Sequence, residues 1–391
     1  MAAEDYLTFH DTLLHLEDYE RANPSSQRSR FHRRAIFTGM INLSHAHHWS
    51  YFYQIGRVNT VAPYSEGSIS FDYTGGAYER MVTLTGGTWP AWAFTGTMII
   101  GEVRYQVAER INGNILQLSV HSNPQADLDA GTGYVLMRDR YLLPQDFWTL
   151  DQLEAPEAWR DMVYVHPRDW VLRTRYSTAS GNTPARYSVI GSEDFQGCMD
   201  LIVEPYPDRA TPLDFLYSRH PRQIKVQDHK SGTVTTSNLS KVVTGEGTAF
   251  TDELVGSIIR VASDAVEYPT GRDGANPYSE QRIVMTVQSA TQLTVDFDFT
   301  ASRSGVKYVV SDPIDIEYGV MKTAFLRCCE NQLAKMARLG GPQGMQHSEA
   351  EWRGALIEAK EADSRSTAPR SVGRSPYPQR LRDMPSGADV E

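Results

Sequence analysis

The sequence predicts an α+β fold: a helical bundle formed by the N- and C-terminal helices, with two β-sandwich or barrel-like units between them. Two observations support that prediction. A block of about eighty residues occurs twice, and the segments before and after the pair place apolar residues at helical spacing. The later copy is the cleaner. It runs from Ser231-Gly232-Thr233-Val234-Thr235 through Val242-Val243-Thr244-Gly245-Glu246-Gly247-Thr248-Ala249-Phe250-Thr251, Leu254-Val255-Gly256-Ser257-Ile258-Ile259-Arg260-Val261 and Gln292-Leu293-Thr294-Val295 to Gly305-Val306-Lys307-Tyr308-Val309-Val310. The earlier copy repeats that order in Gly67-Ser68-Ile69-Ser70-Phe71, Met81-Val82-Thr83-Leu84-Thr85-Gly86-Gly87-Thr88-Trp89, Phe94-Thr95-Gly96-Thr97-Met98-Ile99-Ile100 and Gly133-Tyr134-Val135-Leu136.

The elements follow in order. Residues 1–57 read as the N-terminal helices of the bundle. Leu7, Leu13, Leu14 and Leu16 mark the first helix, and Asn23-Pro24-Ser25-Ser26 stops it and caps the next. The second, over 26–47, has Phe31, Ala35, Ile36, Gly39, Met40 and Leu43 as one apolar stripe and a basic start in Arg28, Arg30, Arg33 and Arg34. Residues 58–228 read as the first β domain, its turns marked by Gly86-Gly87, Asn112-Gly113-Asn114 and Gly131-Thr132-Gly133. A short helix is expected at 155–161, and the strands of 141–227 are expected to continue the first unit's sheet.

Residues 229–313 read as a second, inserted β module able to pack on its own. Residues 314–363 supply the C-terminal helices. One covers 316–339 with Val320, Ala324, Phe325 and Leu333, closed by Gly340-Gly341-Pro342. The other covers 348–362, with a Ser348–Glu351 capping box and with Trp352, Leu356 and Ala359 facing inward. Residues 364–391, rich in Ser, Pro, Arg and Gly, form an extended arginine-rich arm.

Composition narrows the function. The 391 residues carry a formal net charge of −10, which disfavours a general nucleic-acid binder, because counterion release needs clustered Lys and Arg facing phosphates. The apolar runs are too short for a membrane helix, and Met1 to Glu20 lack the pattern of a secretion signal, so synthesis in a cytosol is expected. Cys198, Cys328 and Cys329 are too few for a disulfide framework.

The candidate chemistry is thin. His45 and His48 stand at metal-pair spacing near His10, His15, His32 and His47, but the next acid downstream is Glu66, so interface histidines are the better reading. Cys328-Cys329 reads as buried small residues in a helix. Thr244-Gly245-Glu246-Gly247-Thr248 lacks the Lys-Ser/Thr of a phosphate cradle and reads as a turn. Asp127 with Asp129, and Asp296 with Asp298, lack the ligand alternation of a calcium loop. Neither a nucleophile elbow nor a zinc-protease helix occurs, so an enzyme has no positive support and no cofactor or metal is expected. The arm differs, because its arginines cannot fold alone and are suited to geometry-specific bonds with a partner.

With these elements in place, the chain resembles the head-to-tail adaptor (connector) proteins of tailed bacteriophages. The resemblance rests on Ile41-Asn42-Leu43-Ser44-His45-Ala46-His47-His48-Trp49 ending a helix, on Val58-Asn59-Thr60-Val61-Ala62-Pro63-Tyr64-Ser65-Glu66-Gly67, on the Val-Thr-Gly-x-Gly-Thr-x-Phe-Thr series of the second unit, and on the closing stretch Ala355 to Arg365. It implies a virion structural protein of the neck, assembled in the host cytoplasm. That protein would form a ring, of twelve copies in the family pattern, beneath the portal protein. Its partners would be the portal, a tail nozzle or stopper and tail fibres, with DNA passing through the lumen without specific binding. Portal contact is expected from Trp352, Arg365, Arg370, Arg374, Arg380 and Arg382. The competing expectation is a nozzle, stopper or fibre-attachment protein whose β-module binds a ligand or carbohydrate on exposed platforms such as Trp89 and Trp92.

Overall fold

The computed structural model describes residues 6–20, 26–73, 79–138, 140–154, 162–174, 184–193, 195–272 and 274–367. They form a mixed α+β protein with five α-helices and two curled seven-stranded sheets among the described residues. The chain divides into two compact units, Met1–Tyr51 with Pro221–Glu391, and Phe52–His220.

In the first unit, α1 (Phe9–Glu20) and α2 (Ser26–His45) come from the N-terminal side, α4 (Tyr318–Ala337) and α5 (Gly341–Thr367) from the C-terminal side. Helix α4 packs along both α2 and α5, and α1 lies against α2 and α4. Burial of Met321, Ala324, Phe325, Cys328, Cys329, Leu333 and Ala334 sets the apolar face of α4. A close approach is fixed by Gly39, where a Cβ would stand 2.7 Å from Cys329 Sγ.

Three sequence expectations are corrected here. Helix α2 ends at His45 and not at 47. Helix α5 starts at Gly341, so Ser348 lies inside it and caps nothing; its hydroxyl donates back to the Met345 carbonyl at 3.0 Å and to Asn331 Oδ1 at 3.3 Å. The same helix runs on to Thr367, so Ser364 and Arg365 are helical and do not belong to an extended arm.

The other unit holds β1 (Tyr53–Asn59), β2 (Ser68–Asp72), β3 (Met81–Thr85), β4 (Thr97–Ile100), β5 (Val103–Arg110), β6 (Ile115–Leu118), β7 (Leu128–Thr132), β8 (Val135–Met137), β9 (Arg140–Leu142), β10 (Phe147–Glu154), β11 (Val163–Tyr164), α3 (Pro167–Thr174), β12 (Arg186–Gly191), β13 (Met199–Glu204) and β14 (Pro212–Arg219). Strands β2 to β8 form one sheet in the order β7-β2-β3-β6-β5-β4-β8. The strands beyond it do not continue that sheet, as the sequence had suggested. They pair among themselves as β1-β14-β10 and β11-β12-β13-β9, over a core that includes Tyr141, Phe147, Leu201, Val203 and Phe215. Helix α3 was not foreseen, and the helix expected at 155–161 lies outside the described residues.

The later sheet is built from β15 (Thr233–Thr236), β16 (Val242–Glu246), β17 (Ile258–Val261), β18 (Glu280–Ser289), β19 (Gln292–Val295), β20 (Arg303–Val306) and β21 (Tyr308–Ser311). Its order, β20-β15-β16-β19-β18-β17-β21, matches the first strand for strand. Registers match too: Val82 faces Leu116 as Val243 faces Leu293, and Met98 faces Leu136 as Ile259 faces Val310. Even the β-bulge recurs, between Val107 and Glu109 and between Val284 and Thr286. Each sheet curls until its last strand meets the chain ahead of its first. Tyr64 and Leu136 exchange two backbone hydrogen bonds of 2.8 Å, and His229 and Val310 do the same at 2.8 Å.

Candidate functional site

The predicted contact residues divide. Trp352 is half-buried on α5, and its indole Nε1 is enclosed without a hydrogen-bond partner among the described residues. Arg365 is exposed in the last turns of α5 and donates to Glu361 one turn earlier at 3.0 Å. The structure does not bring these two together, since they lie more than three helical turns apart on one helix. Arg370, Arg374, Arg380 and Arg382 lie outside the described residues.

The sequence missed what holds the C-terminal end of α5. Asp363, 4% exposed, accepts from the Ser50 hydroxyl and from the Ser50 amide at 3.3 Å, and stands 3.4 Å from His47 Nε2. These bonds join the end of α5 to the chain leaving α2. Trp49 sits beside them, 1% exposed, donating its Nε1 hydrogen to the Leu43 carbonyl at 2.7 Å and meeting the His47 ring edge-on. A carboxylate among helix-surface acids carries no spacing signal that marks it as buried.

Further cross-links tie the helices. His15 of α1 meets Glu330 of α4 at 2.7 Å, and Arg327 bridges Glu330 at 2.8 Å and Glu351 of α5 at 3.5 Å. Burial pushes the Glu330 carboxyl up, but hydrogen bonds from His15 and Arg327 outweigh it and leave the group below the usual carboxylate range. His32 meets Glu20 at 2.7 Å, both almost fully enclosed. His10 is pushed below the usual imidazole range by burial, with Lys230 adding to the effect. These contacts place His10, His15, His32 and His47 between elements. Among the described residues no three His, Cys, Asp or Glu side chains converge as a metal site.

Burial also raises the two adjacent thiols, Cys328 to about 12 and Cys329 well above its ordinary value, so both stay protonated and unreactive near neutral pH. Trp89 does not form the exposed aromatic platform expected of a carbohydrate module. Trp89 is 1% exposed, in the core of the first sheet, and Trp92 is half-buried against the same core.

A groove of about 260 Å³ lies in the first unit between α1, the long β17–β18 loop and α4. Several of its charged groups are already hydrogen-bonded. Arg260 binds Asp11, Gln281 at 2.8 Å and the Tyr6 carbonyl at 2.9 Å; Arg272 donates to the Tyr278 hydroxyl at 3.0 Å, and Lys322 to that of Tyr318 at 2.6 Å. Such a lining holds α1 in place.

Among the described residues no helix is long and apolar enough to cross a membrane. Comparison with protein-family models, with curated proteins and with solved structures gives no match to this chain.

Proposed function

We propose that this protein is a structural component of a tailed-bacteriophage virion: a head-to-tail adaptor that forms a ring beneath the portal and joins the capsid vertex to the tail. In this reading the helices from the two ends of the chain act as one bundle, and the arginine-rich segment beyond Thr367 docks on the portal. The observation that supports it most directly is the clamp on α5. Asp363, held by Ser50 and His47, fixes the helix from which that segment departs.

The physical logic is ordered assembly. The segment beyond Thr367 is rich in arginine, proline, serine and glycine, and in this reading it docks only once the portal surface it recognises has been assembled. Arginine forks suit an acidic or carbonyl-rich protein surface. A chain of net charge −10 resists general adhesion to DNA passing through a lumen. The two curled sheets offer edges and loops to a nozzle, stopper or fibre.

The test is deletion of 368–391, which leaves α5 and its clamp intact. Unchanged far-ultraviolet circular dichroism with lost co-sedimentation on DNA-filled, portal-bearing heads is the expected result. Retained attachment rules out the arm as the portal anchor, and absence of the chain from mature particles ends the virion reading.

A further inference from the structure

A sheet edge left bare recruits other chains unless it is short, bulged or covered. Among the described residues every sheet edge but one carries such a device. Strands β8 and β9 have three residues each, and β11 has two. Strands β7 and β20 are irregular where they meet β2 and β15, β10 is bulged twice against β14, and β21 is closed by the His229 bonds. The exception is β1. Its seven residues run against β14 in unbroken register and include no proline. Its one charge, Arg57, donates to Asp214 of β14 from Nε at 2.5 Å and from Nη2 at 2.9 Å. That fork turns the guanidinium inward along the sheet, so it does not guard the edge.

The bonding phase of β1 is fixed at its end. Thr60 donates its amide to the Thr211 carbonyl at 2.9 Å. By the alternation of an antiparallel ladder, Gly56 and Val58 then bond to β14, while Ile55, Arg57 and Asn59 turn amide and carbonyl the other way. Pro212, which has no amide hydrogen, stands opposite Asn59, where this phase requires none. All three outward residues are exposed, Ile55 to 81%. On the outer face Ile55 lies opposite the half-buried Leu216, and on the core face the Phe215 ring closes the space over Gly56.

We propose that the edge of β1 from Ile55 to Asn59 is a strand-addition site, where an extended segment of another protein pairs through its backbone and sets an apolar side chain beside Ile55. The chemistry of that partner follows from the edge. Outward amides and carbonyls on alternate residues are matched by a strand and not by a helix, whose own groups are bonded internally. The row from Leu216 to Ile55 takes a valine- or isoleucine-like side chain as its next member. Because Arg57 is already satisfied by Asp214, the contact is not electrostatic. The site lies outside both curled sheets and stands apart from the head-attachment reading.

The test uses the full chain and an end-capped peptide of alternating threonine and valine, seven residues long like β1. Amide hydrogen exchange is read at Ile55, Arg57 and Asn59, with Gly56 and Val58, bonded within the sheet, as internal controls. In the chain alone the outward amides should exchange at least about tenfold faster than the controls. Peptide at about 1 mM, ten times a Kd of about 0.1 mM, should slow them about tenfold. A peptide N-methylated at two adjacent central residues is blocked along both of its edges and should leave them unchanged. Ile55→Pro removes an amide hydrogen that no ladder bond uses, which an edge strand tolerates, and should abolish the effect with unchanged circular dichroism. Ile55→Lys keeps the backbone and should weaken binding about tenfold by adding the charge that guards other edges. No slowing by the peptide, or equal slowing by its N-methylated form, overturns the proposal. Outward amides already slow in the chain alone overturn it too, with recovery on dilution marking a second copy as occupant and recovery on deletion of 368–391 marking the chain's own end.

Discussion

The two curled sheets share a frame and differ in what their outer faces carry. In both, a glycine pair starts the frame: Gly67 against Gly86, and Gly232 against Gly247, all four at positive φ. In both, a tyrosine donates its hydroxyl at 2.7 Å to the carbonyl just ahead of the first glycine, Tyr134 to Glu66 and Tyr308 to Ser231. Both enclose three rings, Tyr64, Trp89 and Tyr134 in one and His229, Phe250 and Tyr308 in the other, with centroids 5.2–6.5 Å apart. The outer faces diverge. Ile99 on β4 packs with Met137 and Tyr206, but the same place on β17 holds Arg260, buried under the segment that leads into α1. The Gly101–Glu102 turn after β4 corresponds to residues 262–279 after β17. A few inward positions therefore specify the sheet, and the outward ones are free to choose what it holds.

The largest test of that division is Arg260. Its side chain is 4% exposed and bonded to Asp11, so Arg260→Ala leaves a largely enclosed carboxylate unpaired and should cost about 3–5 kcal/mol. Urea unfolding followed by circular dichroism measures it, and hydrogen exchange should rise in residues 6–20. Arg260→Ile with Asp11→Leu imitates the first sheet and should recover most of the loss or exceed it. Failure of the pair to recover would mean that Arg260 serves the frame itself.

The frame is probed next by its glycines. A Cβ on Gly67 would collide with the Thr85 carbonyl oxygen, and one on Gly232 with that of Glu246. Gly67→Ala and Gly232→Ala should each lose about 2–3 kcal/mol, the upper part of the range for a strained residue. Gly86→Ala and Gly247→Ala meet only their partner glycine's Cα, at 3.6 and 3.7 Å, and should lose about 1 kcal/mol from φ alone. Equal losses within either sheet would remove the steric argument.

One exchange inside the frame gives a finer test. Where the first sheet has Leu84 and Gly87, the second has Gly245 and Thr248, and a Cβ on Gly245 would strike the Thr248 side chain. Gly245→Leu should cost about 1–3 kcal/mol by overpacking. Adding Thr248→Gly should return at least half of it, a coupling readable in a double-mutant cycle.

How much of this was legible in the sequence follows from the same division. The duplication was visible because its marks are steric: Gly232, Gly247 and Tyr308 have few substitutes, and Val-Thr alternation shows a strand. The β17–β18 loop hid the equivalence by separating paired strands. Matching the glycines of Phe94-Thr95-Gly96-Thr97 and Leu254-Val255-Gly256-Ser257 is off by one, because the shared register puts Thr97 where Ile258 stands. Arg260 was unreadable, since Ile-Ile-Arg-Val resembles a strand with one solvated charge and its partner Asp11 lies 249 residues away. Asp363 and Ser348 failed for a related reason: local spacing reports a helix face but not which neighbour covers it. For the candidate contacts, the sequence singled out arginines of which Arg365 alone lies among the described residues, while the clamp on the end of α5 was set by tertiary packing.

The smallest effect is also the closest comparison. Tyr134→Phe and Tyr308→Phe each remove one buried hydroxyl bond and should cost about 0.5–1.5 kcal/mol at pH 7. Burial is the main reason both phenols are held above their ordinary value, with Tyr64 and Glu66 near one and Tyr268 near the other. The fold thus holds the protonated form. Their contribution is full below about pH 10, the ordinary tyrosine value, and is lost as the pH rises above it, because the unfolded chain gives up the proton first. Each phenylalanine variant should therefore decline less steeply than the parent between about pH 10 and 11, so that the gap at pH 7 narrows with alkali. If the two variants follow the same curve, the two sheets share their closure in energy as well as in geometry. A gap that stays constant with pH would show that the hydroxyl's packing, and not its proton, is what the sheets have in common.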